Sequence, residues 1–488
     1  MDRRTFLKSV GGSAAGIAGA AWLGSLAQAL AETPAARKPN IVFFLIDDMG
    51  WRDLACYGST FYETPNIDRL AAQGMRFTNA YAACPVCSPT RASILTGRYP
   101  ARLNLTDWIP GHKRPFAKLA VPKIVNELPL DEVTLAEAIG PAGYVSASLG
   151  KWHLGGEPYY PDKQGFAVNI GGTQQGQPPR YFDPYKIATL PDRQAGEYLT
   201  DRLTDEAERF IETNREKPFF LYFAHYAVHT PLQAKKDVIA RYQEKVKPDQ
   251  PQKNATYAAM VQAVDDSVGR IMAKLDALGL TENTVVIFMS DNGGLIGPTS
   301  NVPLRAGKGT LYEGGIREPM IVRWPGVVKP GAVCDTVVTS VDFFPTIREI
   351  AGAAADESQR VDGVSLLPLL KGAGHLQRDA IYWHYPHYHP GGATPGGAVR
   401  AGDFKLIEFF ETGRVELYNL KDDLGEKQDL AAAMPEKAAE LKDRLADWRQ
   451  AVGARMPTPN PDYDPARDKP APKVEPKKPP AAADAGGE

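Results

Sequence analysis

Only four cysteines, Cys56, Cys84, Cys87 and Cys334, occur in 488 residues, too few for a fold held by a dense disulfide framework. Cys84 and Cys87 form one C-x-x-C pair, which taken alone reads as a redox pair or as half of a zinc site. No second pair accompanies it, and no redox-type βαβ context is evident. A surplus of charge of either sign is also missing, with a formal net charge of -2. A nucleic-acid binder usually carries a clustered basic excess, so any attraction for an anionic ligand must come from locally placed cations. Beyond the N-terminal segment, no stretch is long and apolar enough to span a bilayer.

The two ends read as processing or solvent-facing chain. Arg3-Arg4-Thr5-Phe6-Leu7-Lys8 is a twin-arginine signature, followed by a weakly apolar run from Val10 to about Leu26 and by two A-x-A cleavage sites, Ala27-Gln28-Ala29 and Ala29-Leu30-Ala31. Residues 1–31 are therefore expected to be a signal peptide that sends the folded chain through the twin-arginine translocase to the periplasm or beyond. A stable membrane anchor is not expected, because the run is Gly/Ala-rich and short for a bilayer. Residues 456–488 are rich in Pro, Ala and Lys with few large apolar side chains, a composition expected to stay disordered.

Between these ends the pattern is that of an α/β protein. Asn40 to Ile46 is a continuous apolar run, as in a strand buried on both faces. Phe219 to Phe223, Val285 to Met289 and Met320 to Val322 resemble it. Pro65 to Gly74 reads as a helix closed by glycine. Ser88-Pro89 reads as the opening of another, with Ser88 as N-cap. Tyr257, Met260, Val261, Val264, Val268, Ile271, Met272 and Leu275 recur at helical spacing, the buried face of a long helix. Alternating strands and helices imply a mostly parallel central sheet sandwiched by helices over residues 38–374. From about His375 the pattern changes. Lys405 to Phe410 and Val415 to Leu420 flank Glu411-Thr412-Gly413-Arg414 as an antiparallel hairpin, and helical sequence runs on to about Val452. Residues 375–455 are thus expected to be a smaller subdomain of antiparallel strands plus helix.

Chemistry-bearing residues cluster just past the strands. Asp47-Asp48 and Asp291-Asn292 each follow an apolar run, and ligands in open α/β sheets gather beyond the carboxyl ends of strands. Taken separately, each pair also reads as turn and capping residues. Brought together, four oxygen-bearing side chains favour a hard cation, Ca²⁺ or Mg²⁺, over zinc. Cys87 stands where a helix begins, with Arg91 on its first turns, a place where exposed N–H groups and the helix dipole favour an anion.

Cys87-Ser88-Pro89-Thr90-Arg91, followed by Leu95-Thr96-Gly97, resembles the signature of the type I sulfatases, a branch of the alkaline phosphatase superfamily in which the cysteine is oxidised to formylglycine. The family's usual fourth residue is serine, and Thr90 keeps a hydroxyl. Further blocks of that family match in order: Asp47-Asp48, Gly150-Lys151-Trp152-His153-Leu154-Gly155, His229-Thr230-Pro231-Leu232, Ser290-Asp291-Asn292-Gly293, and Gly307 to Pro319 around Lys308. The resemblance spans roughly Pro39 to Leu430. It implies an alkaline phosphatase-like fold and hydrolysis of a sulfate ester on a sulfated carbohydrate or an aryl group. It also implies one Ca²⁺ on Asp47, Asp48, Asp291 and Asn292, and a formylglycine hydrate at position 87 made by a formylglycine-generating enzyme before export. In the same reading Arg91 orients residue 87, and Lys151, Lys308 and His229 approach the sulfate, with His229 protonating the leaving alcohol. His153 then helps the second hydroxyl expel sulfate.

Two other readings compete: a formylglycine-dependent phosphonate or phosphodiester hydrolase on the same fold, and a non-catalytic binder of sulfated glycans. Tyr382 to Pro390 gathers aromatics and three histidines. His384 and His387 are candidates for the leaving-group pocket, where aromatics stack on sugar faces; a packed loop at the subdomain junction is the plainer reading.

Overall fold

The computed structural model describes residues 37–356 and 359–468. The twin-arginine segment with its cleavage sites and residues 469–488 lie outside them. No helix among the described residues is long and apolar enough to cross a membrane.

Among the described residues the central sheet has nine strands. Asn40–Ile46 lies at its middle, parallel on one side to Phe219–Ala224 and on the other to Thr284–Ser290. Val145–Gly150 pairs in parallel with the far edge of Phe219–Ala224. Four neighbouring strands therefore point the same way, and register aligns Leu45 with Ala224 and Ile46 with Ser290. Beyond Thr284–Ser290 the direction reverses at Arg317–Arg323, which Met75–Tyr81 then pairs antiparallel.

Alternation along the middle strand builds two cores from one segment. Val42, Phe44 and Ile46 enter one apolar cluster, and Ile41, Phe43 and Leu45 enter the other, as period-two side-chain placement requires. All six are fully buried, contributing roughly 2 kcal/mol each relative to exposure. The first cluster is covered by Ala255–Ala277, which buries Tyr257, Met260, Val261, Val264, Val268, Ile271 and Leu275. Leu199–Thr213 and Pro65–Gln73 lie beside it. The helix Cys87–Thr96 covers the second cluster, with Ala92, Ile94 and Leu95 in it. The α/β sandwich expected from the sequence is present.

A separate four-stranded antiparallel sheet comes next along the chain: Ala380–Tyr385, Gly396–Ala401, Phe404–Phe409 and Val415–Asn419. The last two strands are the hairpin expected around Gly413. Helix Pro435–Val452 packs on this sheet through Leu441 and Leu445. Trp383 and Tyr385 share a buried cluster with Tyr81, Cys84 and Val86 of the main body, and the Trp383 indole N–H donates to the Ala82 carbonyl at 2.8 Å.

Two expectations are corrected. The helix at position 87 begins on Cys87 itself, with Val86 as its N-cap; the Ser88 hydroxyl instead accepts from the Ile109 N–H at 3.2 Å. The chain past Met456 does not leave the fold at once. Thr458–Pro459 pairs antiparallel with Leu119–Ala120, and Asp468 bonds Arg114 at 2.6 Å. Low apolar content hid this packing, because backbone pairing and ion pairs hold the segment.

Candidate active site

The four parallel strands end in line, and each end leads directly into a functional segment. Asp47 and Asp48 come after Ile46, Asp291 and Asn292 after Ser290, Lys151 after Gly150, and His225 to His229 after Ala224. Strand register alone thus brings together residues up to 244 positions apart, such as Asp48 and Asn292, whose amide donates to Asp48 Oδ1 at 2.8 Å. The Asp48 N–H in turn donates to Asp291 Oδ1 at 3.2 Å.

Three carboxylates and three cations interlock here. Arg91 donates to Asp291 Oδ2 through Nε at 3.0 Å and Nη2 at 2.8 Å. Its remaining arm donates to the Lys151 carbonyl at 2.9 Å. Lys151 Nζ lies 2.7 Å from Asp47 Oδ2, and Lys308 Nζ lies 2.6 Å from Asp48 Oδ1. Burial pushes Asp47 well above the usual carboxylate range, with Lys151 pulling against it. Burial acts on Asp48 too, but the Lys308 ammonium, helped by His229 and Lys151, outweighs it and holds Asp48 below that range.

Despite these contacts, Asp47 Oδ1, Asp48 Oδ2 and Asn292 Oδ1 are buried without a hydrogen-bond partner. Buried polar atoms are nearly always satisfied, so three unsatisfied oxygens at one edge of the sheet fit a cation. The donor set is oxygen-rich and suits a hard ion such as Ca²⁺. His229 Nε2 stands 3.6 Å from Asp48 Oδ2, and one ligand atom each of Asp47, Asp48 and His229 fall within 4.8 Å of one another. Asp291 keeps lone-pair capacity beside the three hydrogen bonds it accepts, one from the Asp48 N–H and two from Arg91.

Above this edge opens a cavity of about 370 Å³, lined by Cys87, Trp108, Ile109, Pro110, His153, His229, Lys308 and His389 among others. Cys87 Sγ lies 3.3 Å from His153 Nδ1, and His153 Nε2 lies 2.7 Å from the Ile109 carbonyl. A carbonyl only accepts, so Nε2 carries the proton and Nδ1 presents a lone pair to residue 87. Burial, then the Lys151 charge, hold His153 well below the usual imidazole range, so the ring is neutral. Asp48 and His153 both take left-handed backbone, φ 61° and 57°, a conformation that side chains other than glycine adopt rarely and mostly at sites under functional constraint.

Residues 39–353 match the Sulfatase family model. The chain belongs to the sulfatase family. Residues 307–451 of this sulfatase also match the model of the N-sulphoglucosamine sulphohydrolase C-terminal region. It is 34% identical to a sulfatase of Formosa agariphila, covering 87% of this chain and 91% of that one. It is likewise 34% identical to human arylsulfatase A, covering 83% and 87%. Among solved structures it resembles Ps i-CgsB in complex with k-i-k-neocarrahexaose, with a TM-score of 0.73 and 31% identity over 85% of this chain and 93% of that one. The chain is therefore a sulfatase enzyme.

In this sulfatase the residues singled out from the sequence divide into layers. Cys87, His153, His229 and Lys308 face the cavity. Asp47, Asp48, Asp291, Asn292, Arg91 and Lys151 form the buried floor. Lys151 does not line the cavity, being fully buried against Asp47. An extended segment would put Lys151 and His153 on one face, but the left-handed turn at His153 breaks that geometry. The hydrogen bonds of Arg91 reach the floor and not Cys87.

His384 is off the site, its Nε2 lying 2.9 Å from the Arg455 carbonyl. His387 bonds Thr106 and lines a neighbouring cleft. The histidine of that stretch facing the cavity is His389, which neither spacing nor motif distinguished from its neighbours. Its ring occupies space that glycine at 309 leaves open; a Cβ there would run into it. All four cysteines are free.

Proposed function

We propose that this sulfatase hydrolyses sulfate esters of sulfated carbohydrates through a formylglycine hydrate at position 87, with Ca²⁺ held by Asp47, Asp48, Asp291 and Asn292. The reading is carried by one observation: Cys87 shares its cavity wall with a histidine lone pair, over a floor of unsatisfied carboxylate and amide oxygens. The Cys87 Sγ stands where an oxygen of the hydrate would be. Support for a carbohydrate ester comes from relatives whose names specify sugars, including human N-acetylgalactosamine-6-sulfatase, 36% identical over 72% of this chain and 69% of that one.

One hydroxyl of the hydrate attacks sulfur and passes its proton to the Asp291 carboxylate, and the bond from sulfur to the ester oxygen breaks as that oxygen takes a proton from His229 and leaves as an alcohol. Lys308 neutralises the sulfate charge at the cavity wall, and Lys151 supports it from below by fixing Asp47. His229 is the proton donor to the leaving oxygen. Its Nδ1–H donates to the Thr230 carbonyl at 2.8 Å, so the proton it delivers is carried on Nε2 and the ring must be cationic when substrate is bound. Burial and the Lys308 charge push its pKa down to about 3, and the entering sulfate anion opposes both. His153 Nδ1 then accepts the proton of the second hydroxyl, the C=O bond re-forms, and sulfate departs. A cysteine or serine at 87 has one nucleophilic atom and cannot take this exit. A bound Ca²⁺ would supply Lewis-acid polarisation of a sulfate oxygen; added to the three carboxylates, Arg91 and Lys151, it would leave the floor net positive, as an anionic substrate requires.

A separate formylglycine-generating enzyme would act on Cys87 in the cytoplasm, before folding encloses it and before twin-arginine export to the periplasm or medium. The test is Cys87→Ala against an aryl sulfate and the matching aryl phosphodiester. Loss of sulfate hydrolysis with an unchanged melting profile supports the reading. Retained sulfatase turnover, or a parent enzyme that prefers the phosphodiester, contradicts it.

A further inference from the structure

A second concavity, of about 490 Å³, opens beside the catalytic cavity and shares Pro110 with it. Its lining carries Lys113, Arg114 and Lys123, the histidines His112 and His387, and one carboxylate, Asp107. Burial pushes Asp107 up to about 7 against hydrogen bonds from Tyr385 and from the backbone of His112 and Trp108, which further reduces negative charge there. Arg114 is spent, bonding Asp468 and lying 4.4 Å over the Tyr388 ring. Lys113 and Lys123 are exposed, and among the described residues neither has an ion-pair partner. On a chain whose formal net charge is -2, two unpaired ammonium groups in one concavity form a local anion trap.

One residue of the cleft wall, Asn460, belongs to a segment beyond both family matches, which end at residues 353 and 451. Thr458–Pro459 pairs with Leu119–Ala120. The Asn460 amide donates to the Pro115 and Ala117 carbonyls at 2.9 and 2.7 Å. Arg467 lies 3.5 Å over the Phe116 ring. The strap holds the loop that carries Lys113 and Lys123 against the body.

We propose that this cleft binds a second anionic group, a sulfate or a carboxylate, on the sugar next to the one being desulfated, through Lys113 and Lys123, and that the strap 456–468 shapes it. The proposal rests on the sulfatase reading of the catalytic cavity and makes the enzyme selective for polyanionic glycans.

The experiment compares kcat/KM on four probes: an aryl sulfate, and disaccharides bearing one sulfate, two sulfates, or one sulfate with one uronate carboxylate. The parent is expected to favour a dianionic disaccharide over the monosulfated one. Lys113→Ala/Lys123→Ala is expected to cut that preference roughly tenfold, mostly through KM, as loss of charge-assisted hydrogen bonds does. Which dianionic disaccharide is favoured tells sulfate from carboxylate. A parent indifferent to the second anion, or a double variant that keeps the preference, overturns the proposal. Removal of residues 456–488 is expected to weaken the preference likewise, with the melting profile recorded in parallel; a folded truncation that keeps it overturns the strap's role. Failure of the parent on the aryl sulfate would instead count against the sulfatase chemistry itself.

Discussion

Cys87 Sγ and His153 Nδ1 lie 3.3 Å apart, and the bond from His153 Nε2 to the Ile109 carbonyl fixes which nitrogen faces residue 87. The histidine is thereby committed to accepting a proton. In the proposed cycle that acceptance belongs to the release of sulfate and not to the first attack.

His153→Ala should therefore slow the second half-reaction selectively. Loss of a positioned base costs about 10²- to 10⁴-fold. Rapid-quench measurements on an aryl sulfate should show a retained burst of alcohol and then a slow steady state, with sulfate accumulating on residue 87. Equal loss of burst and steady state would place His153 in the first step.

Removal of divalent cations should act on stability as well as turnover. The unsatisfied oxygens of Asp47, Asp48 and Asn292 are stabilised only when a cation binds, and a ligand at a hundredfold its Kd adds about 2.7 kcal/mol. Chelation should lower the melting temperature and Ca²⁺ should restore it in the parent, whereas Asp48→Asn should respond weakly to both. A melting temperature indifferent to chelator would contradict the metal assignment.

Gly309→Ala should damage the cavity without touching a reacting group. Gly309 has φ 83° and its missing Cβ makes room for the His389 ring. Left-handed backbone and the displaced ring together should cost roughly 1–3 kcal/mol and raise KM more than they lower kcat. Unchanged KM and stability would remove His389 from the substrate's path.

Asp107 should make stability depend on pH. Burial, against hydrogen bonds from Tyr385, His112 and Trp108, raises its carboxyl from 3.8 to about 7. Between those values the folded chain holds a proton that the unfolded chain has lost, so stability is full below about 4 and declines as pH rises through about 7. Denaturant titrations from pH 4 to 8 should show this slope in the parent and a flatter one in Asp107→Asn. Equal slopes would mean that Asp107 titrates normally.

Much of the site was legible because strand ends announce themselves. The apolar runs ending at Ile46 and Ser290 put Asp47, Asp48, Asp291 and Asn292 beyond a sheet edge, and parallel pairing of those two strands does the rest. What could not be read was which partner each side chain takes across the fold. Lys151 and Lys308 look alike in sequence, yet one is fully buried under Asp47 and the other lines the cavity. His384, His387 and His389 lie close together in one stretch and diverge to three environments, because the chain leaves its strand at Tyr385. The packing of 456–468 was invisible to composition, since it depends on backbone pairing with Leu119–Ala120.

The most direct test of the proposed chemistry is the mass of the peptide containing residue 87, taken from active enzyme and compared with its specific sulfatase activity across preparations. Formylglycine at position 87, in a fraction that scales with activity, is the expected result. Full activity from enzyme whose Cys87 remains a thiol would contradict it.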